Sequence, residues 1–188
     1  QCVYEWRNFR DKFSNKKGWG NKVSKKGVRV GAKIQISGSN NSLVVERGCV
    51  IKKSLIKIIG SNNVVILKKG AFISGAELWV EDNNCMLEIG ENTFVGHHSH
   101  LACTENGSEL IIGKDSMISS YVQIRTGDSH SVIDNKGNRI NRAKSIHIGD
   151  HCWIGAGAKV LKGVFLKKDT VVSTGAIVTK SAGPNVLL

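Results

Sequence analysis

From Ile148 onward the chain counts in sixes: IGDHCW, IGAGAK, VLKGVF, LKKDTV, VSTGAI, VTKSAG. The first slot of each hexad is apolar (Ile148, Ile154, Val160, Leu166, Val172, Val178), and the fifth is small or β-branched (Cys152, Ala158, Val164, Thr170, Ala176, Ala182). With 40% of residues apolar, six first-slot hits in one register arise by chance in about 0.4% of cases. Neither a helix nor a hairpin repeats every six residues. Three short strands per turn, arranged as a triangular coil, do so, because the fifth slot and the next first slot lie two apart and share a face. That face points inward. Small fifth-slot side chains suit the cramped interior beside a corner, and Gly149 and Gly155 let the backbone turn.

The same count runs upstream in triplets: Val44, Val50, Ile56; Ile66, Phe72, Leu78; Ile89, Val95, Leu101; Ile112, Ile118, Ile124. Between triplets the step widens, and the extra residues are GSNN at 38–41, GSNN at 60–63, EDNN at 81–84 and TENG at 104–107. They follow the third strand of each coil. Asn and Gly tolerate positive φ, so each insertion reads as a bulged corner, with asparagine side chains stacked as a hydrogen-bonding ladder. After Ile124 the same corner grows into a long polar insertion around Asp128-Ser129-His130 before the register resumes at Ile148. A long structureless insertion on a rigid scaffold is more often functional than incidental.

These counts predict an all-β parallel helix of about seven coils, roughly 30 to 35 Å long at the spacing of neighbouring strands, covering residues 28–188 with a loop at 125–147. Residues 1–27 form a basic, amphipathic cap in this reading, with Trp6, Phe9 and Phe13 at helical spacing to plug the first coil. Beyond Val178 few residues remain to cover the last coil. At 188 residues one domain is expected, with no apolar run of membrane-spanning length and no segment resembling a signal peptide. Five cysteines without CxxC or zinc-type spacing read as reduced cytosolic thiols. Of the net charge of +12, residues 1–33 supply ten Lys/Arg against two acids, which concentrates any electrostatic partner at one end. No nucleic-acid-binding module accompanies that charge, and no nucleic-acid partner is expected.

The hexads, together with Asp128-Ser129-His130 some two dozen residues before Cys152-Trp153-Ile154-Gly155, resemble the left-handed β-helix acyltransferases that use acetyl-CoA. The left hand is implied by that resemblance alone. The stretch Ile124 to Lys180 (IRTGDSHSVID, RINRAKSIHIGDHCWIGAGAKVL, TGAIVTK) looks like the branch that O-acetylates bacterial capsule, lipopolysaccharide or exopolysaccharide sugars, including polysialic acid O-acetyltransferases. Relatives carry Pro after the histidine, where this chain has Ser131.

A sugar hydroxyl is a poor nucleophile and the thioester is already activated, so the reaction needs a base with pKa near the working pH. His130 matches the family's base. Asp128 either orients it or caps the turn. Trp153 is directed outward by the register, and the resemblance sets it beside the histidine and the pantetheine thioester. The resemblance further implies Gly155, Ala156 and Thr174 along pantetheine and Thr179 and Lys180 near the nucleotide phosphates; His98, where relatives carry an acceptor-binding Asn, is with Arg125 and Ser129 a candidate to line the acceptor site. His97, His98 and His100 lack a carboxylate or Cys at recognisable ligand spacing, so no metal is expected. Cys152 is directed inward, which favours direct transfer over an acyl-cysteine.

The expectation is therefore a cytoplasmic O-acetyltransferase and homotrimer acting on a carbohydrate, with peripheral contact to a membrane-linked glycan as a further option. Two other readings remain open at this level: N-acetylation of a nucleotide-linked amino sugar, and a non-catalytic β-helix that binds or assembles.

Overall fold

A strand of two to five residues cannot bury both faces on its own, and this chain solves the problem by stacking. In the computed structural model, residues 14–24 and 26–188 are described, and they form 22 short strands. All the strand pairs are parallel, and each strand pairs with the ones three before and three after it, which is the topology of a triangular coil. The first face holds eight strands: Ser14–Lys17, Lys33–Ser37, Leu55–Ile59, Glu77–Glu81, His100–Cys103, Gln123–Arg125, Lys159–Val160 and Ile177–Val178. The second holds seven: Lys22–Val23, Ser42–Val45, Val64–Leu67, Met86–Ile89, Glu109–Ile112, Ile146–Ile148 and Phe165–Leu166. The third holds seven: Val28–Val30, Val50–Lys52, Phe72–Ser74, Phe94–Val95, Met117–Ile118, Trp153–Ile154 and Val171–Val172. The expected seven coils are present. Parallel pairing already begins at Ser14, inside the segment read as a cap, and the expected helix bearing Trp6, Phe9 and Phe13 lies outside the described residues.

The interior is one continuous column of aliphatic side chains. All six first-slot residues from Ile148 to Val178 face into it, as do Ile56, Leu78, Ile89, Val95, Leu101, Ile112, Ile118 and Ile124. The register fails at four upstream positions. Val44, Val50, Ile66 and Phe72 point outward, and their neighbours Val45, Ile51, Leu67 and Ile73 fill the interior. A one-residue slip exchanges the two faces of a strand, and at VV, VI, IL and FI both alternatives are apolar, so periodicity cannot choose between them.

Those outward residues are not scattered. The ladder on the third face aligns Val28, Val50, Phe72, Phe94, Met117, Trp153 and Val171 in register, one per coil. The result is an unbroken apolar stripe along the prism, in which Phe72, Met117 and Trp153 are well exposed.

The corner between the first and second faces carries the insertions, and the expected asparagine ladder is there. The Asn41 amide donates to Asn21 Oδ1 at 3.0 Å and to Gly60 O at 2.8 Å, while Asn41 Oδ1 accepts from Asn63 N at 3.0 Å. Asn63 repeats the pattern one coil on, toward Asp82 O and Cys85 N. At the other end of the prism, residues 179–188 do more than the sequence suggests. Ala182 bridges Leu166 and Leu187 bridges Val171, so the tail lays a partial further rung along the second and third faces.

Candidate active site

The long insertion leaves the prism at the corner between the first and second faces, from Thr126 to Ser145. It is not structureless. Ile133 and Arg139 form an antiparallel bridge, Ile140 N donates to Val132 O at 2.9 Å, and the Asp134 carboxylate caps the turn by accepting from the backbone of Lys136 and Asn138. Its ends are tied by Lys144 N to Thr126 O (2.9 Å) and Gly163 N to Lys144 O (3.2 Å). Its returning limb is tied to the preceding coil by Glu105, whose carboxylate takes the fork of the Arg139 guanidinium and the Ala143 N–H.

His130 stands on the outgoing limb and is exposed. Asp128, two residues before it, turns its carboxylate elsewhere: Oδ2 accepts from Lys162 Nζ and, at 2.8 Å, from Asn141 Nδ2. The Lys162 ammonium, with help from Asn141, holds the Asp128 carboxyl below its ordinary value. Ser129 adopts φ 64°, and its Oγ accepts from Arg125 at 2.6 Å. The Arg125 Nε is buried without a partner. Thr179 and Lys180 are exposed and follow the last strand of the first face, so they lie on this same corner of the prism.

A second group of expected site residues sits elsewhere. Trp153 projects from the third face, 48% exposed, with its indole N–H donated to Ser119 Oγ at 3.1 Å. Gly155, Ala156 and Thr174 follow at the corner between the third and first faces. A Cβ at Gly155 would meet Thr174 N at 2.6 Å, so only glycine fits under the next coil. His98 lies on that corner too and stacks on Tyr121, ring centroids 4.9 Å apart. In a triangular prism each edge lies opposite the one face it does not touch. The His130 edge is opposite the Trp153 face, and within one chain the structure does not bring the two groups together.

The other candidates resolve simply. The His97 ring contacts Ser74 Oγ at 3.3 Å, while His100 faces Glu77 at 4.0 Å and is held below its ordinary pKa chiefly by burial. No cluster of three or more His, Cys, Asp or Glu placed to hold a metal occurs among the described residues. Cys152 is buried, and desolvation pushes its thiol up, which makes it a poor nucleophile. A surface concavity of about 340 Å³ lies on the first face at Gln35, Lys57 and their neighbours, three rungs from Arg125. Sequence reasoning passed over Asn141, Lys162 and Glu105, since their contacts are made once, most of them between distant positions, and carry no periodic signal.

Parallel coils, a histidine-bearing excursion at one edge and an exposed tryptophan on the opposite face together define a β-helix of stacked triangular coils. No family model matches the chain. It is 29% identical over 131 residues to a polysialic acid O-acetyltransferase of Neisseria meningitidis, covering 69% of this chain and 60% of the relative. Among solved structures, the polysialic acid O-acetyltransferase OatWY superposes with a TM-score of 0.85 at 28% identity, over 93% of this chain and 83% of that one. The polySia-specific acetyltransferase NeuO gives 0.82 at 28%, over 91% and 79%. In sequence and in fold the chain is similar to these sugar O-acetyltransferases. It spans 60% and 53% of the length of the first two curated relatives it matches.

Proposed function

We propose that the protein is an O-acetyltransferase that moves acetyl from acetyl-CoA to a sugar hydroxyl of an anionic bacterial surface polysaccharide, polysialic acid being the leading candidate. The observation that carries this reading is the pairing of an exposed, unencumbered His130 on one prism edge with an exposed Trp153 on the opposite face, in a chain related to polysialic acid O-acetyltransferases. His130 accepts the hydroxyl proton as the oxygen attacks the thioester carbonyl. The C–O bond forms, the C–S bond breaks, and the departing CoA thiolate takes the proton from the imidazolium. Transfer is direct, because Cys152 is buried.

Acetyl-CoA fits the residues present. Thr174, Thr179 and Lys180 are exposed, and Lys180 offers charge to the nucleotide phosphates. Seven Lys/Arg and no acid occupy residues 14–33, which suits a polyanionic acceptor. Four free, buried thiols among the described residues suit a reducing, cytoplasmic setting.

The same geometry supports a homotrimer. The apolar stripe on the third face calls for a covering surface, and side-by-side copies bring the His130 edge of one chain to the Trp153 face of the next. The test is complementation. Homogeneous His130→Ala and Trp153→Ala proteins should each fail to acetylate polysialic acid, read by mass spectrometry. Subunits mixed by co-refolding should regain activity at roughly a quarter of the sites. No recovery on mixing sinks the shared site, and undiminished turnover by His130→Ala sinks the base.

A further inference from the structure

The amide of Asn141 uses all of its hydrogen-bonding capacity within the excursion, three of its four bonds going to the limb that carries His130. Nδ2 donates to Asp128 Oδ2 and to the His130 carbonyl, each at 2.8 Å. Oδ1 accepts from Val132 N at 2.7 Å and from Arg139 Nε at 3.3 Å. Two donors and two acceptor sites are all a carboxamide has. The His130 carbonyl and the Val132 N–H flank Ser131, so the side chain offers this segment the donor and acceptor that a neighbouring strand would offer in a sheet. Asn141 is itself anchored, because its own carbonyl accepts from Lys162 Nζ at 2.9 Å and Lys162 belongs to the next coil. The chain of contacts therefore runs from rigid coil through Lys162 and Asn141 to the backbone that directly follows the His130 Cα.

We propose that Asn141 is a positioning residue for His130: it fixes the backbone from which the imidazole is presented to the acceptor, and it acts through the His130 carbonyl and not chiefly through Asp128. The inference rests on the reading of His130 as the base. Misplacing a reacting group by about 1 Å can cost on the order of a hundredfold in rate, which makes the residue visible in kinetics although it touches neither substrate.

Asn141→Ala and Asn141→Asp both remove the donation to the His130 carbonyl. Asp128→Asn with Asn141→Asp restores a donor and acceptor pair between positions 128 and 141, yet leaves that carbonyl without its donor. With acetyl-CoA and polysialic acid, Asn141→Ala should lower kcat about ten- to a hundredfold while KM for acetyl-CoA stays within about twofold. The double variant should remain as slow as Asn141→Asp. A kcat near wild type for Asn141→Ala overturns the proposal, and so does recovery in the double variant, since Asn141 would then act through Asp128. Turnover by His130→Ala is a separate result that removes the base itself. A readout independent of the acceptor is amide exchange by NMR. Asn141→Ala should abolish protection of the Val132 N–H and leave the coil amides of Ile56 and Leu101 protected, and unchanged protection of Val132 overturns the clamp.

Discussion

The corner between the first and second faces is built in two ways on one molecule. At Asn41 and Asn63 it is a four-residue bulge whose buried amides bond the coils before and after, with the residues 1% and 0% exposed. At 126–145 it is an excursion with no equivalent in adjacent coils, fixed by side chains reaching from Glu105 on one side and Lys162 on the other. In the first solution the bonds to the following coil are copied one coil on, and removing one strands buried backbone groups. In the second the bonds are half-exposed and unique, so they set the place of one imidazole and contribute little to the stack. The same edge thus serves stability where it is periodic and presentation where it is not.

The largest effect that sharpens this contrast falls on activity alone. His130→Ala should reduce turnover by about 10²- to 10⁴-fold with an unchanged thermal transition, measured by acetyl transfer and calorimetry in parallel. Next comes the outward stripe. Met117→Asp places a charge in the apolar ladder beside Trp153, and sedimentation should show subunits dissociating while circular dichroism keeps the β signal. Asn63→Ala is the mirror image of the first experiment. It leaves the Asp82 carbonyl and the Cys85 N–H without their partner, at about 1 to 3 kcal/mol for each buried group left unsatisfied, so the melting temperature should drop while activity per folded molecule holds.

The smallest effect is a pH dependence of the excursion. Asp128 has a lowered folded pKa, first through the hydrogen bond from Lys162. Its contribution is therefore complete above the unfolded value of about 3.9 and is lost as pH falls through the folded one. Pepsin cleavage within 126–145 should accelerate as the pH falls below about 3.9 with the coils intact, and Asp128→Asn should flatten that rise.

Much of this was legible in the residues. The hexads from Ile148 to Val178 announce the coil because the first slot is apolar in all six and the fifth is small or β-branched in all six, so two inward slots agree on one register. The corner asparagines announce themselves by recurring with the coil, and Trp153 by standing next to an inward Ile154. Where both faces of a strand are apolar, as at Val44 and Val45 or Phe72 and Ile73, the pattern is silent about which side is the core.

The sequence by itself determined the period, the edge that carries the excursion and the chemical type of its central residue, since these follow from side-chain polarity repeated at a fixed interval. Only the tertiary structure decided that His130 and Trp153 stand on opposite sides of one chain, that Asp128 answers to Lys162, and that Asn141 grips the His130 backbone. Those facts depend on which coil lies beside which and on single contacts between distant positions. A contact made once leaves no period to read.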